Sequence, residues 1–209
     1  FASFKEGYEK LGGKIVRELW LPFPNVEFQA LLTEIAAAKP DAVACFFAGG
    51  GAIKFTKDYE AAGLKAKIPL YSDFLTDGFL QAQGSSAQGI LTTLHYADDL
   101  DFPKNKEFRL NFAKTYKQQP DVNSMHGYDA AQLLDIGLKT VKGDARATMT
   151  IAKAIEGATI DSPRGKFTMS KAHNPIQDIY LREAVGTQNK FVKVAWKALA
   201  DPARGCKMA

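Results

Sequence analysis

The sequence predicts an α/β protein with a parallel, doubly wound sheet, a run of helices and then further strands. Three observations support this fold class. Up to about residue 94, short strand-like segments recur between segments with helical periodicity, which is typical of βα units. Residues 105–158 show helical periodicity alone, and strand patterns return after Gly165. This order is expected when a chain passes between two domains more than once.

The first region is predicted to contain strands at residues 14–19, 43–47, 68–71 and 89–94. Residues 43–47 are continuously apolar, as expected of a parallel strand covered on both faces. The helix before this strand has Asn25 as its candidate N-cap, and the next helix is expected to stop at Gly63. The apolar stripe of the earlier helix consists of Phe28, Leu31, Leu32, Ile35 and Ala36.

Three helices with apolar faces are predicted within residues 105–158. Their stripes are Phe108, Phe112 and Tyr116; Ala131, Leu134, Leu138 and Val141; and Ile151, Ala154, Ile155 and Ala158. These helices either pack on one another as a small subdomain or cover a sheet supplied by residues outside this sequence, and we favour the second interpretation. The final strands are predicted at residues 166–169, 179–183 and 191–194, with a hairpin turn at 186–189.

The chain begins within a predicted helix. Phe1, Phe4 and Tyr8 share one helical face, and Gly12 and Gly13 end the pattern. The first residue is not Met, and the strand that should precede this helix in a βαβ unit is absent. We therefore expect the sequence to be a C-terminal piece of a longer protein.

Composition excludes several classes of function. Of 209 residues, 46% are apolar and 24% charged, as in globular proteins, and the net charge of 27 − 23 = +4 is too small and dispersed to predict nucleic-acid binding. No apolar run approaches the ~18 residues that a membrane span needs. Cys45 lies in a predicted buried strand, whereas Cys206 could form a disulfide, either with Cys45 or with a residue outside the sequence.

A ligand site is predicted where the strands of the first region end. Gly49, Gly50 and Gly51 follow one strand and open a helix, so the backbone there could approach a ligand or an anion. Asp73 follows the next strand, which suggests a dinucleotide fingerprint, but that motif needs glycine where this chain has Lys54. A purely structural glycine turn is the alternative.

No pattern indicates catalysis, a metal or another cofactor. His95, His126 and His173 lie on separate segments without ligand spacing, and no nucleophile–base pair is evident. We therefore predict neither a metal site nor an enzyme. Residues 98–101 contain three aspartates and are predicted to form a solvated loop. His95 and Tyr96, at the end of the fourth strand, are better placed to contact a ligand or to form a hinge.

Together these segments resemble the type I periplasmic solute-binding proteins of ABC transporters, within the branched-chain amino acid receptor superfamily. The segments that carry the resemblance are residues 28–35 (FQALLTEI), 47–52 (FAGGGA), 61–65 (AAGLK), 89–96 (GILTTLHY), 127–131 (GYDAA), 162–167 (SPRGKF) and 173–180 (HNPIQDIY). The resemblance implies a periplasmic, monomeric receptor that closes around a small molecule and delivers it to a membrane permease.

The resemblance also implies a division into two lobes. Residues 1–95 and 164–209 are expected to form the C-terminal lobe, and residues 98–160 to be helices of an N-terminal lobe whose sheet lies outside this sequence. The ligand is expected between the lobes. The residues expected to contact it are Gly49, Gly50, Gly51, Asp73, Phe74, Leu75, His95 and Tyr96.

The ligand class follows from two departures from the family pattern. Amino acid receptors of this family hold the ligand ammonium with an acidic residue that aligns with Phe74, and they have an aromatic residue near Gly49. Both differences favour an aromatic carboxylate such as a benzoate, although a shift of one residue would place Asp73 at the acidic position and favour an amino acid. A ligand-sensing regulator with the same fold and a nicotinamide-dependent enzyme are two further hypotheses.

Overall fold

A computed structural model describes residues 1–22, 24 and 26–205. Asn25, the predicted N-cap, and Cys206, the candidate disulfide partner, lie outside the described residues. Cys45 is a free, half-buried thiol. Within the described part of the chain, no helix is long and apolar enough to span a membrane.

The structure alternates strands and helices in the first region and confirms the α/β class. The helices are α1 (Ala2–Lys10), α2 (Gln29–Ala38), α3 (Gly49–Ala61), α4 (Leu80–Gln83), α5 (Pro103–Tyr116), α6 (Val122–Thr140) and α7 (Thr148–Ile155). The strands are β1 (Val43–Cys45), β2 (Leu70–Ser72), β3 (Leu91–Leu94), β4 (Thr159–Ile160), β5 (Phe167–Met169), β6 (Pro175–Val185) and β7 (Gln188–Leu199). A short 3₁₀ helix at Gly84–Ala87 follows α4.

The sheet is mixed rather than wholly parallel. Its order is β1-β2-β3-β6-β5-β4, and β7 also pairs with β6. Strands β1, β2 and β3 run parallel, as their helical connections predict, whereas β6 is antiparallel to β3, β5 and β7. The predicted hairpin turn is confirmed, since β6 and β7 flank Gly186. Strand β4 was not predicted, because its two residues are too few to show a period.

The first predicted strand is absent, since residues 14–19 are irregular and no described strand pairs with them. The two-sided coverage predicted for residues 43–47 is also wrong. Phe46, directly after β1, and Tyr71, on β2, are 67% and 41% exposed, and Ala44 is exposed as well. Helices α2 and α3 cover only the opposite face of the sheet, so apolar character here indicates a strand but not two covering layers.

The main core lies between that covered face and helices α2 and α3. Aromatic side chains dominate it: Phe28 on the first turn into α2 and Phe55 on α3 meet edge to face, with 5.2 Å between ring centroids. The Tyr59 hydroxyl donates to the Ile68 carbonyl at 3.0 Å, which attaches α3 to the chain entering β2. This core holds the three parallel strands in register.

The helical region packs differently. Phe108 of α5 and Met125 of α6 join a second apolar cluster with Tyr96 and with Tyr180 of β6, so these helices meet the edge of the sheet. Their remaining apolar residues are open: Leu134 is 54% exposed and Tyr116 62% exposed. The helical prediction for this region is confirmed, and each apolar stripe is only partly covered.

Candidate functional site

The predicted site lies along one edge of the sheet. Strands β1, β2 and β3 are parallel, so their carboxyl ends meet at the same edge, where ligands of open α/β sheets bind. Helix α3 begins at Gly49, which has a positive φ of 59° that favours glycine. A Cβ at Gly49 or Gly50 would have no neighbour within 4 Å. The glycine turn therefore leaves open space beside the N-terminus of α3.

The three residues after β2 that are predicted to contact a ligand differ in solvent exposure. Asp73 is exposed, and its carboxylate accepts the Phe74 N–H at 2.6 Å, so it is partly engaged by its own backbone. Phe74 is half-buried against the second cluster and keeps part of its ring accessible. Leu75 is fully buried in the main core, so its side chain offers no surface to a ligand in this arrangement.

Tyr96 is likewise a core residue. It is 1% exposed, its hydroxyl donates to the Asn105 Oδ1 at 2.9 Å, and burial raises its pKa to about 12. Its neighbour His95 is only partly buried. Of the two residues after β3 that are predicted to contact a ligand, His95 is therefore the one with an accessible side chain. Tyr96 instead packs in the second apolar cluster.

His95 forms a contact that sequence reasoning missed. Its Nε2 lies 2.6 Å from the Nε2 of His126 on α6, and the rings stack with centroids 4.9 Å apart. Burial, with the nearby positive charge of Arg164, lowers the pKa of His95 to about 3 and also lowers that of His126. Both imidazoles are therefore neutral at neutral pH. One ring must donate and the other accept.

The histidine pair brings together two potential metal-ligating side chains. No group of three or more potential ligand side chains occurs among residues 1–22, 24 and 26–205. Nothing in the sequence indicated the pair, because His95 follows a strand and His126 lies 31 residues further on, in a helix. Only the packing of α6 against the sheet edge brings the two rings together.

The aspartates after Tyr96 are not simply solvated. Asp98 pairs with Arg109 at 2.9 Å and accepts the Asn189 N–H at 2.7 Å, and Asp99 accepts the Phe191 N–H at 2.6 Å. Burial raises the pKa of Asp98. The predicted solvated loop is therefore wrong at Asp98, whose side chain is 13% exposed, and holds for Asp99 and Asp101, which are both exposed. The aspartates attach β7 to the segment that leaves β3.

Two buried arginines, which the sequence did not single out, flank the site. Arg182 of β6 forms a bidentate pair with Asp77, with Nη1–Oδ1 and Nη2–Oδ2 distances of 2.8 and 2.7 Å. Arg164 pairs with Asp129 of α6 at 2.8 Å, and the Ser162 hydroxyl donates to the same carboxylate at 2.9 Å. Each cation is neutralised by its own carboxylate, so neither is a free partner for an anion.

A separate cavity of about 230 Å³ lies beside Arg164, between Phe102, Gln177 and Tyr180. None of the residues predicted to contact a ligand lines it. The predicted residues with accessible surface are instead those at the strand ends: the glycine turn, Asp73, Phe74 and His95. This edge is open and presents an apolar ring and neutral imidazoles.

Known proteins resemble this chain along nearly its whole length. A solute-binding protein of an ABC transporter from R. palustris, solved with benzoate, is 46% identical with a TM-score of 0.93, and the match covers 99% of this chain and 57% of that chain. A second, from Rhodopseudomonas palustris BisB5 with 3,4-dihydroxybenzoic acid, is 30% identical with a TM-score of 0.87, covering 97% and 58%.

A curated relative, the Leu/Ile/Val-binding protein homolog 6 of Brucella melitensis, is 29% identical over 188 residues, which are 87% of this chain and 48% of the relative. The chain thus spans about half the length of the proteins it matches. The family model described as periplasmic binding protein matches residues 1–189. Since that match takes in most of the chain, the chain belongs to the periplasmic binding protein family.

Proposed function

We propose that the protein to which this chain belongs is the extracytoplasmic solute-binding component of an ABC importer and that its ligand is a small aromatic carboxylate. The protein binds the ligand between two lobes and presents it to a membrane permease without chemical change. The observation that carries this proposal is the 46% identity, over 99% of the chain, to a solute-binding protein solved with benzoate.

The character of the strand-end edge supports an aromatic ligand. Phe74 stands where an acid is expected in an amino acid receptor, and its ring is partly accessible. The open space at Gly49 and Gly50 accommodates a flat ring, since a Cβ at either position would have no neighbour within 4 Å. Because Arg164 and Arg182 are already paired, the ligand carboxylate is expected to find its partners on the other lobe.

Uptake of a branched-chain amino acid is the second candidate. It is favoured by the curated relative named for Leu, Ile and Val and by the exposed Asp73 beside Phe74. The Asp73 carboxylate already accepts the Phe74 N–H, which leaves one oxygen for a ligand ammonium. This engagement makes the amino acid the weaker proposal.

The lobe assignment belongs to the same proposal. Residues 1–95 and 164–209 form most of one lobe, and residues 98–160 are helices of a second lobe whose sheet is supplied by chain outside these residues. The exposed apolar residues Tyr116 and Leu134 support this assignment, since large apolar patches on soluble proteins are usually covered. Closure is a hinge motion that the ligand stabilises by binding the closed state more tightly.

The test is calorimetric titration of the full-length protein with benzoate, 4-hydroxybenzoate and leucine. Tight binding of an aromatic acid alone supports the proposal, and tight binding of leucine alone refutes it in favour of Asp73 as an ammonium ligand. The Phe74→Ala variant is expected to bind the aromatic acid roughly 1–3 kcal/mol more weakly, because an apolar ring contact is lost. Phe112→Ala, a half-buried ring packed on the same cluster, is the matched control and should leave affinity unchanged.

A further inference from the structure

Arg182 is the most fully engaged charged side chain at the strand-end edge. It is 0% exposed and lies on β6, opposite Thr92 of β3. Besides the bidentate pair with Asp77, its guanidinium donates to the Thr92 Oγ1 at 2.9 Å, the Tyr96 carbonyl at 2.9 Å and the Asp73 carbonyl at 3.2 Å. The four N–H groups of its two terminal nitrogens thus face five acceptor atoms on four residues, with one N–H shared between two acceptors.

Three of these four partners belong to the two segments that carry the predicted ligand contacts, and the fourth, Thr92, lies on β3. Asp73 and Asp77 begin and end the loop after β2, which includes Phe74. The Tyr96 carbonyl lies directly after His95, at the end of β3. The two segments are otherwise separate in the chain, and Arg182 is 109 residues from Asp73 and 86 from Tyr96. A single planar cation therefore connects the two segments.

The chemistry of these contacts indicates that Arg182 positions the two segments and does not serve stability alone. Burying a charged pair brings a desolvation penalty that its mutual attraction barely offsets, and apolar replacements are often as stable. The rigid fork of arginine can address a carboxylate and two carbonyls together, which the point charge of lysine cannot. Its Nε has no hydrogen-bond partner among the described residues, so every hydrogen bond made by the fork is directed through its two terminal nitrogens.

We propose that Arg182 is a positioning residue of the ligand site, which holds the segment of Asp73 and Phe74 and the segment of His95 in the relative placement that a ligand needs. This inference rests on the proposed function. Arg182 does not touch the ligand itself, because its side chain lies beneath both segments and is fully buried. Its effect on affinity is exerted through the backbone carbonyls that it binds.

The decisive experiment compares Arg182→Lys with Ser86→Ala in the full-length protein. Lysine keeps the positive charge opposite Asp77 but cannot also reach both carbonyls. Ser86 is equally buried, and its hydroxyl lies within hydrogen-bond distance of the Gln83 backbone carbonyl and the Thr56 hydroxyl. Neither group belongs to the two segments, so the Ser86 variant controls for the loss of a buried hydrogen bond. We expect Arg182→Lys to weaken benzoate binding about tenfold or more and Ser86→Ala to leave it unchanged.

Hydrogen exchange in the ligand-free protein provides the second readout. If Arg182 positions the two segments, the backbone amides of residues 73–77 and 95–98 should exchange faster in Arg182→Lys but not in Ser86→Ala. A variant with wild-type affinity and unchanged exchange in both segments, whatever its melting temperature, would overturn the proposal and leave Arg182 a purely structural residue. Equal weakening of affinity in both variants would overturn it as well.

A milder variant covers the case in which Arg182→Lys does not fold. Thr92→Val removes one acceptor of the guanidinium, and Thr92 lies on β3, outside both segments, so the variant weakens the contacts of Arg182 without changing a residue of either segment. Affinity reduced a few-fold supports the proposal, and unchanged affinity overturns it. If the wild-type protein binds leucine instead of benzoate, the proposed aromatic ligand fails, and the same variants are then scored with leucine.

Discussion

Helices α2 and α6 have apolar faces of the same kind, yet the structure buries them to different degrees. Leu32 of α2 is 2% exposed because the sheet of this chain lies against it, whereas Leu134 of α6 is 54% exposed. Both positions fit a helical stripe in the sequence equally well. Periodicity therefore identifies which face of a helix will be buried, but the partner that buries it is a property of the tertiary structure.

Truncation of an apolar side chain on each of these two helices is expected to have the largest effect on stability. Leu32→Ala should lower the free energy of unfolding by about 2–5 kcal/mol, because it leaves a cavity in a packed core. Leu134→Ala should lower it by less than about 0.5 kcal/mol if Leu134 stays exposed in the full-length protein, and by an amount close to that of Leu32→Ala if a second sheet covers α6 as we propose. Urea denaturation of both variants measures the difference.

The same pair of variants also tests the lobe assignment. If a second sheet covers α6, the loss for Leu134→Ala in the full-length protein should approach that for Leu32→Ala. A negligible loss there would contradict the assignment of residues 98–160 to a lobe with its own sheet and would favour the small helical subdomain. Equal losses of unfolding free energy for the two variants would show that both helix faces are buried in the complete protein.

An intermediate effect is expected at the histidine contact that joins the two regions. Burial lowers the pKa of His95 to about 3, so between this value and the ordinary value of 6.5 the unfolded chain binds a proton that the folded protein does not. The contribution of His95 to the free energy of unfolding is therefore constant above about pH 6.5. It falls as the pH decreases below that point, by at most ~1.4 kcal/mol per pH unit.

Urea denaturation at about pH 7.5 and about pH 5 measures this dependence. From about pH 7.5 to about pH 5, the free energy of unfolding of the wild-type protein should fall by up to about 2 kcal/mol more than that of His95→Gln. His173→Gln, which replaces an exposed histidine, should behave like the wild type. A His95→Gln variant that keeps the full pH dependence would show that the carboxylates, and not this contact, account for the acid sensitivity.

The smallest expected effect concerns how the helices begin. Asp121 caps α6, accepting the Ser124 N–H and hydroxyl at 2.9 Å each, whereas the N-cap position of α2 is Phe28, which makes no side-chain cap and relies on packing. Asp121→Ala should therefore lower the free energy of unfolding by about 1 kcal/mol. Asp135→Ala, in an exposed pair with Lys139 on the same helix, should change it within about 0.5 kcal/mol.

Much of the fold could be predicted because its signals are local. The helical stripes, the parallel strands β1 to β3 and the terminal hairpin follow from periodicity and turn residues. The irregular segment at residues 14–19 shows the limit, since a strand also needs a neighbour to pair with and the described chain supplies none there. Exposed Phe46 shows the same limit for layers, because apolar composition does not specify how many faces are covered.

The sequence by itself determined which loops form the candidate site, since the ends of successive parallel strands must share one edge. The sequence also determined the family, because segments typical of that family are distributed along most of the chain. Only the tertiary structure decided that Leu75 and Tyr96 are buried while Phe74 and His95 are accessible. It alone joined His95 to His126 and Arg182 to Asp77, because contacts between residues 31 and 105 positions apart arise from packing and leave no periodic trace.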